Sequence, residues 1–253
     1  MTELSDSHKG WDTNEHLDFF DGWNQRNYYD FSEHYGCFEE NRYLIRTINK
    51  LYSKSNFFPS VLDIGCATGT TYRYLKQNFK KKDINYLGVD ISHTAIDKAT
   101  SLHGRNLFKA VEENWTSEGQ SADIVYSRDT VMHQADPLSY LHSLIKLSKK
   151  HLILRLRTRD TGATVFDIEH SCQAHYSKFW MPYIVLNIDE LSEFLKNNEH
   201  VQSAIINRSY NILGGGNLRN LPKELFFADA GGSETSLLIN MSNESCNGAN
   251  IDY

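Results

Sequence analysis

Short apolar runs alternate with amphipathic stretches between about residues 60 and 156. Val61, Leu62 and Ile64 form a β-branched run that predicts a buried strand. From Thr70 the spacing of Tyr74, Leu75 and Phe79 predicts a helix. Asn85 to Asp90 predicts a second strand, followed by a helix over Thr94 to Leu102 for which Ser92 is the expected N-cap. Leu107 to Val111 and Ala122 to Ser127 are the third and fourth strands. Asp136-Pro137 opens a helix over Leu138 to Ser148, with proline at a position whose N–H has no helical partner. His151 to Leu156, rich in Ile and Leu, predicts a strand buried on both faces.

This alternation predicts an α/β domain with a Rossmann-like doubly wound, mostly parallel sheet. Further on, a helix over Ile188 to Lys196 precedes two strands, Ser203 to Tyr210 and Thr235 to Met241. No helix separates those two strands, so they are expected as an antiparallel pair at one end of the sheet. The reading is a seven-stranded sheet over 58–241 with an antiparallel last strand and insertions at 158–187 and 211–234. Residues 242–253 are expected as a frayed tail. Residues 1–57 are expected as a helical, aromatic-rich extension, with a helix over Glu39 to Tyr52. The aromatics between Phe19 and Tyr35, Tyr28 among them, either pack on the domain or form a lid over the substrate mouth.

Composition narrows the classes. The chain has 253 residues and a formal net charge of -6, which gives no general attraction to a phosphate backbone. Lys80-Lys81-Lys82 is a solvated helix end rather than a basic patch. The four cysteines, Cys37, Cys66, Cys172 and Cys246, show no CxxC pair. Without a signal peptide or a membrane-length apolar run, they are expected as reduced thiols in a cytoplasmic protein that binds neither nucleic acid nor membrane.

The turn after the first strand carries the chemistry. Gly65-Cys-Ala67-Thr-Gly69-Thr70 fits neither the dinucleotide G-x-G-x-x-G nor a P-loop, since no Gly-Lys follows. Asp63-x-Gly65-x-Ala67-x-Gly69 instead resembles the first motif of the class I S-adenosylmethionine-dependent methyltransferases. The resemblance extends through Leu87-Gly-Val-Asp90-Ile-Ser92 and Asp123-Ile-Val-Tyr-Ser-Arg-Asp129-Thr-Val-Met-His133 to the fifth strand. It implies S-adenosylmethionine as cofactor and S-adenosylhomocysteine as product. By the same resemblance Asp63 lies near the cofactor's amino group, Gly65, Ala67 and Gly69 admit its methionine part, and Asp90 accepts from the ribose hydroxyls. Ile91 packs on the adenine, Glu112 stands near the adenine amine, and Ser127 lines the cofactor beside the reacting methyl. Ala67 replaces the commoner glycine, which is tolerable unless φ must be positive.

Methyl transfer from a sulfonium requires alignment and, for a hydroxyl acceptor, a general base. In a doubly wound sheet the acceptor lies beyond the carboxyl ends of the strands. His133, in the loop after the fourth strand, is the first candidate base. Asp129 is the second, and Arg128 orients an acidic partner. Arg155, Arg157 and Arg159 share one face of the fifth strand. They either face the cleft and favour an anionic acceptor or pair with carboxylates such as Asp160 and Asp167. His170 and His175 are substrate-side candidates. Together with Glu169 and Cys172 they have near-ligand spacing, but the second half of a zinc motif is lacking, so no metal is expected. Ser127-Arg-Asp-Thr stands where a DNA-amine methyltransferase has Asn/Asp-Pro-Pro-Tyr. The expected acceptor is therefore a small or medium-sized molecule such as a sugar, glycan unit or natural-product intermediate, taken at a hydroxyl. A protein methyltransferase and a catalytically silent cofactor-binding partner subunit stay open as alternatives.

Overall fold

The computed structural model describes residues 38–80, 82–112, 115, 120–174, 180–210, 219–226, 231–242 and 248–253. The first described helix, α1 (Glu39–Ser55), stops at Asn56, whose left-handed backbone turns the chain toward β1 (Val61–Ile64). Then come α2 (Thr70–Asn78), β2 (Tyr86–Asp90), α3 (His93–His103), β3 (Phe108–Ala110) and β4 (Ala122–Arg128). A short 3-10 turn over Val131–His133 leads to α4 (Pro137–Leu147) and β5 (Ser148–Arg159). The predicted Ser92 cap forms, with the Ala95 N–H donating to its Oγ, and Asp136 caps α4 by accepting from the Ser139 N–H.

Beyond β5 lie β6 (Cys172–Ala174), β7 (Trp180–Pro182), β8 (Leu186–Asn187), α5 (Ile188–Lys196) and β9 (Val201–Tyr210). They are followed by β10 (Arg219–Asn220), a 3-10 turn over Lys223–Phe226, β11 (Gly232–Met241) and β12 (Asn250–Asp252). The main sheet runs β12-β9-β11-β5-β4-β1-β2-β3, with β8 beside β5. Neighbours from β3 to β5 are parallel, and β11 is antiparallel to both β5 and β9. This is the expected doubly wound sheet with β11 reversed, built from nine strands rather than the expected seven because β8 and β12 join it. Residues 250–252, expected to fray, instead pair in parallel with β9 and cover its edge.

Alternation along the strands builds two cores. Leu62, Ile64, Val125, Leu152 and Leu154 face α4 and α5, while Val61, Tyr86, Ile124, Tyr126 and Ile153 face α1, α2 and α3. Helices on both faces leave the carboxyl edge of β1, β2, β4 and β5 as the open side of the domain. The two insertions meet there. β6 and β7 come from the first and β10 from the second, and they form one antiparallel sheet, Arg219 opposite Gln173 and Asn220 opposite Cys172. A small core of Met132, Tyr183, Val185, Leu221 and Leu225 fastens this sheet to the turn after β4.

Candidate active site

The turn from β1 into α2 needs left-handed backbone at three positions, Gly65 (φ 77), Ala67 (φ 47) and Gly69 (φ 80). A Cβ on Gly65 would stand 2.3 Å from Thr130 Cγ2, and one on Gly69 would stand 2.7 Å from the Phe108 ring. Both glycines are thus required by the protein's own packing as well as by backbone shape. The condition that makes alanine costly is met at Ala67. Its positive φ costs on the order of 1 kcal/mol, and the turn is held by a bond from its N–H to Asp90 Oδ2 at 2.8 Å.

Asp90 ends β2 and its other oxygen accepts from the Ser92 N–H at 2.9 Å. One carboxylate therefore ties the glycine turn to the start of α3, with half-buried Ile91 between the two bonds. Each carboxylate oxygen has two acceptor directions, so an oxygen bonded to a backbone N–H can also accept from a hydroxyl. An acceptor at a strand end, beside backbone that a cofactor can approach closely, fits the donor set of S-adenosylmethionine. Glu112 lies exposed just beyond β3.

Asp63 sits deeper than the sequence implies. It is 1 % exposed, and the Tyr86 hydroxyl donates to it at 2.6 Å. Burial pushes its carboxyl from 3.8 up to about 6, and the hydroxyls of Tyr86 and Thr71 only partly oppose this. An acid with a raised folded pKa keeps its proton in the folded chain where the unfolded chain has lost it. Its stabilising contribution is complete below about pH 4 and declines as pH rises through about 6. Asp63→Asn removes that decline. The variant is expected to stabilise the cofactor-free chain at pH 7 by on the order of 2 kcal/mol. Denaturant midpoints at pH 4.5 and 7 check this: a variant less stable than the parent at pH 7 refutes it.

Ser127 requires a correction. It is fully buried on the α4 side of β4, where its hydroxyl donates to the Ile64 carbonyl at 2.9 Å and contacts Thr130 Oγ1 at 2.5 Å. A side chain so enclosed does not line the cofactor. It secures the end of β1 and holds Thr130 against Gly65.

His133 lies buried beneath the insertion sheet. Its Nδ1 is 2.8 Å from the Pro182 carbonyl, which can only accept, so Nδ1 carries a proton. The neighbouring Tyr183 ring lies 5.9 Å away, centre to centre. The Ile184 N–H donates to the Met132 carbonyl, clamping the same turn.

Asp129 also has a left-handed backbone, φ 57, and its N–H donates to the Arg155 carbonyl. Its carboxylate lies 3.3 Å from Arg155 and 3.8 Å from Arg128. Arg128 reaches Glu40 of α1 at 3.1 Å, and Arg155 and Arg157 share one oxygen of Glu234 at 2.9 and 2.7 Å. The Phe38 ring lies under both Arg128 and Arg155. The sequence alternatives for the arginines resolve toward ion pairing, with partners other than those anticipated. Arg159 pairs with Glu224, Asp160 with Arg208, and Asp167 with His170.

His170 is 67 % exposed at its side chain and stays outside this cluster. Its bond to Asp167 holds that carboxyl below the usual range. Cys172 is buried and its thiol is pushed up to about 12, first by burial and then by Asp167 and Glu169. Among the described residues, no three His, Cys, Asp or Glu side chains gather to hold a metal. Cys66 and Cys172 are free thiols. Tyr28, His175, Cys37 and Cys246 lie outside the described residues. Sequence reasoning missed Glu40, Tyr183 and Glu234. For Glu234 the signal was present, since a carboxylate just before a predicted strand that pairs with an arginine-bearing one is a natural cross-strand partner.

The sheet order, the reversed β11 and the turn anchored by Asp90 together define a class I S-adenosylmethionine-dependent methyltransferase fold. A family model described as a methyltransferase domain matches residues 37–203, and the chain belongs to that family. It is 28% identical over 112 residues to phosphoethanolamine N-methyltransferase 1 of Arabidopsis thaliana, a match covering 42% of this chain and 22% of that protein. The chain thus corresponds to well under two thirds of that relative's length. Among solved structures it is similar to the plantazolicin methyltransferase BamL, with TM-score 0.51, 17% identity and coverage of 90% of this chain and 97% of that one. It is similar also to the N-terminal domain of EvdMO1, with TM-score 0.54, 13% identity and coverage of 91% and 97%. At these identities the likeness is one of fold. No described helix is long and apolar enough to cross a membrane.

Proposed function

We propose that this chain transfers the methyl group of S-adenosylmethionine to a small or medium-sized acceptor, at a hydroxyl. The observation that carries the reading is Asp90, held at the end of β2 with one oxygen on the Ala67 N–H and the other on the Ser92 N–H. Asp63, Gly65, Ala67 and Gly69 would hold the methionine part, Asp90 the ribose, and Ile91 and Glu112 the adenine. The cofactor, when bound, supplies an electrophilic methyl on a sulfonium. The insertion sheet is fastened to the turn after β4 by Met132, Tyr183, Val185, Leu221 and Leu225 and would help to shield the reacting groups from water. His133 would take the hydroxyl proton during methyl transfer, and Asp129 is the second candidate for that proton.

A nitrogen acceptor is the second reading, favoured by the relative whose name makes it an N-methyltransferase acting on phosphoethanolamine. Incubation with methyl-labelled cofactor and a panel of alcohols, sugars, amines and cell protein distinguishes the readings. Label in the small-molecule hydroxyl fraction is the expected outcome, and label confined to protein or amines overturns it. Once an acceptor is found, His133→Ala is expected to lower kcat by about a hundredfold with S-adenosylhomocysteine affinity within twofold of the parent. Full turnover in that variant removes His133 as the base.

A further inference from the structure

Among the described residues, the insertion sheet shares no backbone ladder with the main sheet. Its position over the turn after β4 is therefore set by side chains and single bonds. One of these contacts reaches β5. Arg159, the last residue of that strand, is 1 % exposed although its charge is permanent. Its own turn holds the guanidinium: Nε donates to the Thr161 carbonyl at 2.6 Å. Gly162, at φ 75, leaves the space that Nη2 occupies, since a Cβ there would stand 2.4 Å from that atom. Nη2 in turn donates to Glu224, in the 3-10 turn of the second insertion. Exposed ion pairs contribute little, because both side chains must be ordered. Here one partner is buried and already oriented, so the carboxylate meets a fixed donor. The bond from Arg159 accordingly holds the Glu224 carboxyl below its ordinary range.

From Glu224 the connection runs to the histidine. The next residue, Leu225, is fully buried, and with Leu221 it shares a core with Met132, Tyr183 and Val185. Just before Leu221, Asn220 stands opposite Cys172, and Cys172 stands opposite Pro182. One cross-strand row thus spans β10, β6 and β7. The Asn220 side-chain amide also donates to the Glu169 carbonyl, which ties the row to the chain leading into β6. At the far end of the row the Pro182 carbonyl accepts from His133 Nδ1 at 2.8 Å. Two residues on, the Ile184 N–H donates to the Met132 carbonyl at 2.9 Å. The imidazole is therefore held by a strand whose own placement traces back, through the second insertion, to Arg159.

We propose that Arg159 and Glu224 are positioning residues for His133. Their ion pair seats the insertion sheet against β5, and the row Asn220, Cys172 and Pro182 carries that seat to the imidazole. Glu224 is the exposed half of the pair, so its replacement leaves no cavity in the core. The service of the seat to catalysis rests on the reading of His133 as the base, whereas the seat itself does not.

The test uses the full chain with isotope-labelled histidine in nuclear magnetic resonance, where His133→Gln identifies the His133 Nδ1–H signal by its loss. In the parent that proton and the Ile184 amide are expected to exchange slowly with water. Glu224→Ala is expected to speed both at least about tenfold. The Ile124 amide, bonded to the Ser60 carbonyl in the main sheet, is expected to stay within about twofold of the parent. Glu224→Gln keeps an acceptor oxygen for Nη2 and is expected to return both protons to within about threefold of the parent. Gly162→Ala pushes on the guanidinium without altering any charge and is expected to speed both by at least about threefold. It keeps the test decisive should Glu224→Ala fail to fold. Parental exchange at His133 Nδ1 in a folded Glu224→Ala or Gly162→Ala, or equal acceleration at Ile124, overturns the inference. Full turnover in His133→Ala, alongside accelerated exchange in Glu224→Ala, removes the base and leaves the seat. Lost turnover in His133→Ala with parental exchange in Glu224→Ala does the reverse.

Discussion

Asp90→Ala is expected to weaken S-adenosylhomocysteine binding by about a hundredfold or more, the largest single effect on the cofactor side. The size follows from the several bonds that meet at one carboxylate. Its oxygens already accept from the N–H groups of Ala67 and Ser92, so removing it releases a turn whose central alanine has φ 47. On the proposed reading the same removal would also take away the ribose acceptor, whose bonds would be charge-assisted. Asp90→Asn keeps one acceptor oxygen and is expected to fall between parent and alanine variant. Calorimetric titration of folded protein measures both. A loss smaller than threefold for Asp90→Ala, with the fold intact, would show that the cofactor is held elsewhere.

Much of the framework could be read from the sequence because its determinants are local. The helix over Ile188–Lys196 and the caps at Ser92 and Asp136 depend on residues within one turn of each other. The parallel pairing from β1 to β5 follows from alternation of strands and helices. What could not be read depends on contacts between distant positions. Nothing near Cys172–Ala174 announces that it pairs with Arg219–Asn220, and Ser127 gives no local sign that the Ile64 carbonyl takes its hydroxyl. β5 continues past the apolar run to Arg159, where Arg155 and Arg157 meet Glu234 of β11 and Arg159 meets Glu224, contacts that a hydrophobic pattern does not register. The site divides in the same way. Glycines and strand-end aspartates form a short motif, while His133, Arg157, Tyr183 and Arg219 lie in four separate segments.

The ion cluster beneath α1 leads to an asymmetric prediction. Arg155→Met is expected to destabilise the fold by about 3–5 kcal/mol, the largest stability loss among the site residues. Arg155 lies between Glu40, Asp129 and Glu234. Methionine fills similar volume over Phe38, so the loss would come from charge. Glu40 is 1 % exposed, and Glu234 would have to rely on Arg157 alone. The reciprocal change, Glu40→Gln, is expected to cost less than about 1 kcal/mol at pH 7. Burial raises the Glu40 pKa above its ordinary value even though Ser236, Arg128 and Arg155 all favour the charged form. Ionised Glu40 is therefore a net cost to the folded state, and its stabilising contribution declines as pH rises through that raised value. Glutamine removes this cost and can still accept from the Ser236 hydroxyl, which now donates to Glu40 at 2.7 Å. Urea unfolding of both variants at pH 7 separates the cases. Equal losses in the two would mean that the pairs act as a mutual lattice, and a negligible loss in Arg155→Met would mean that the guanidinium is dispensable to the fold.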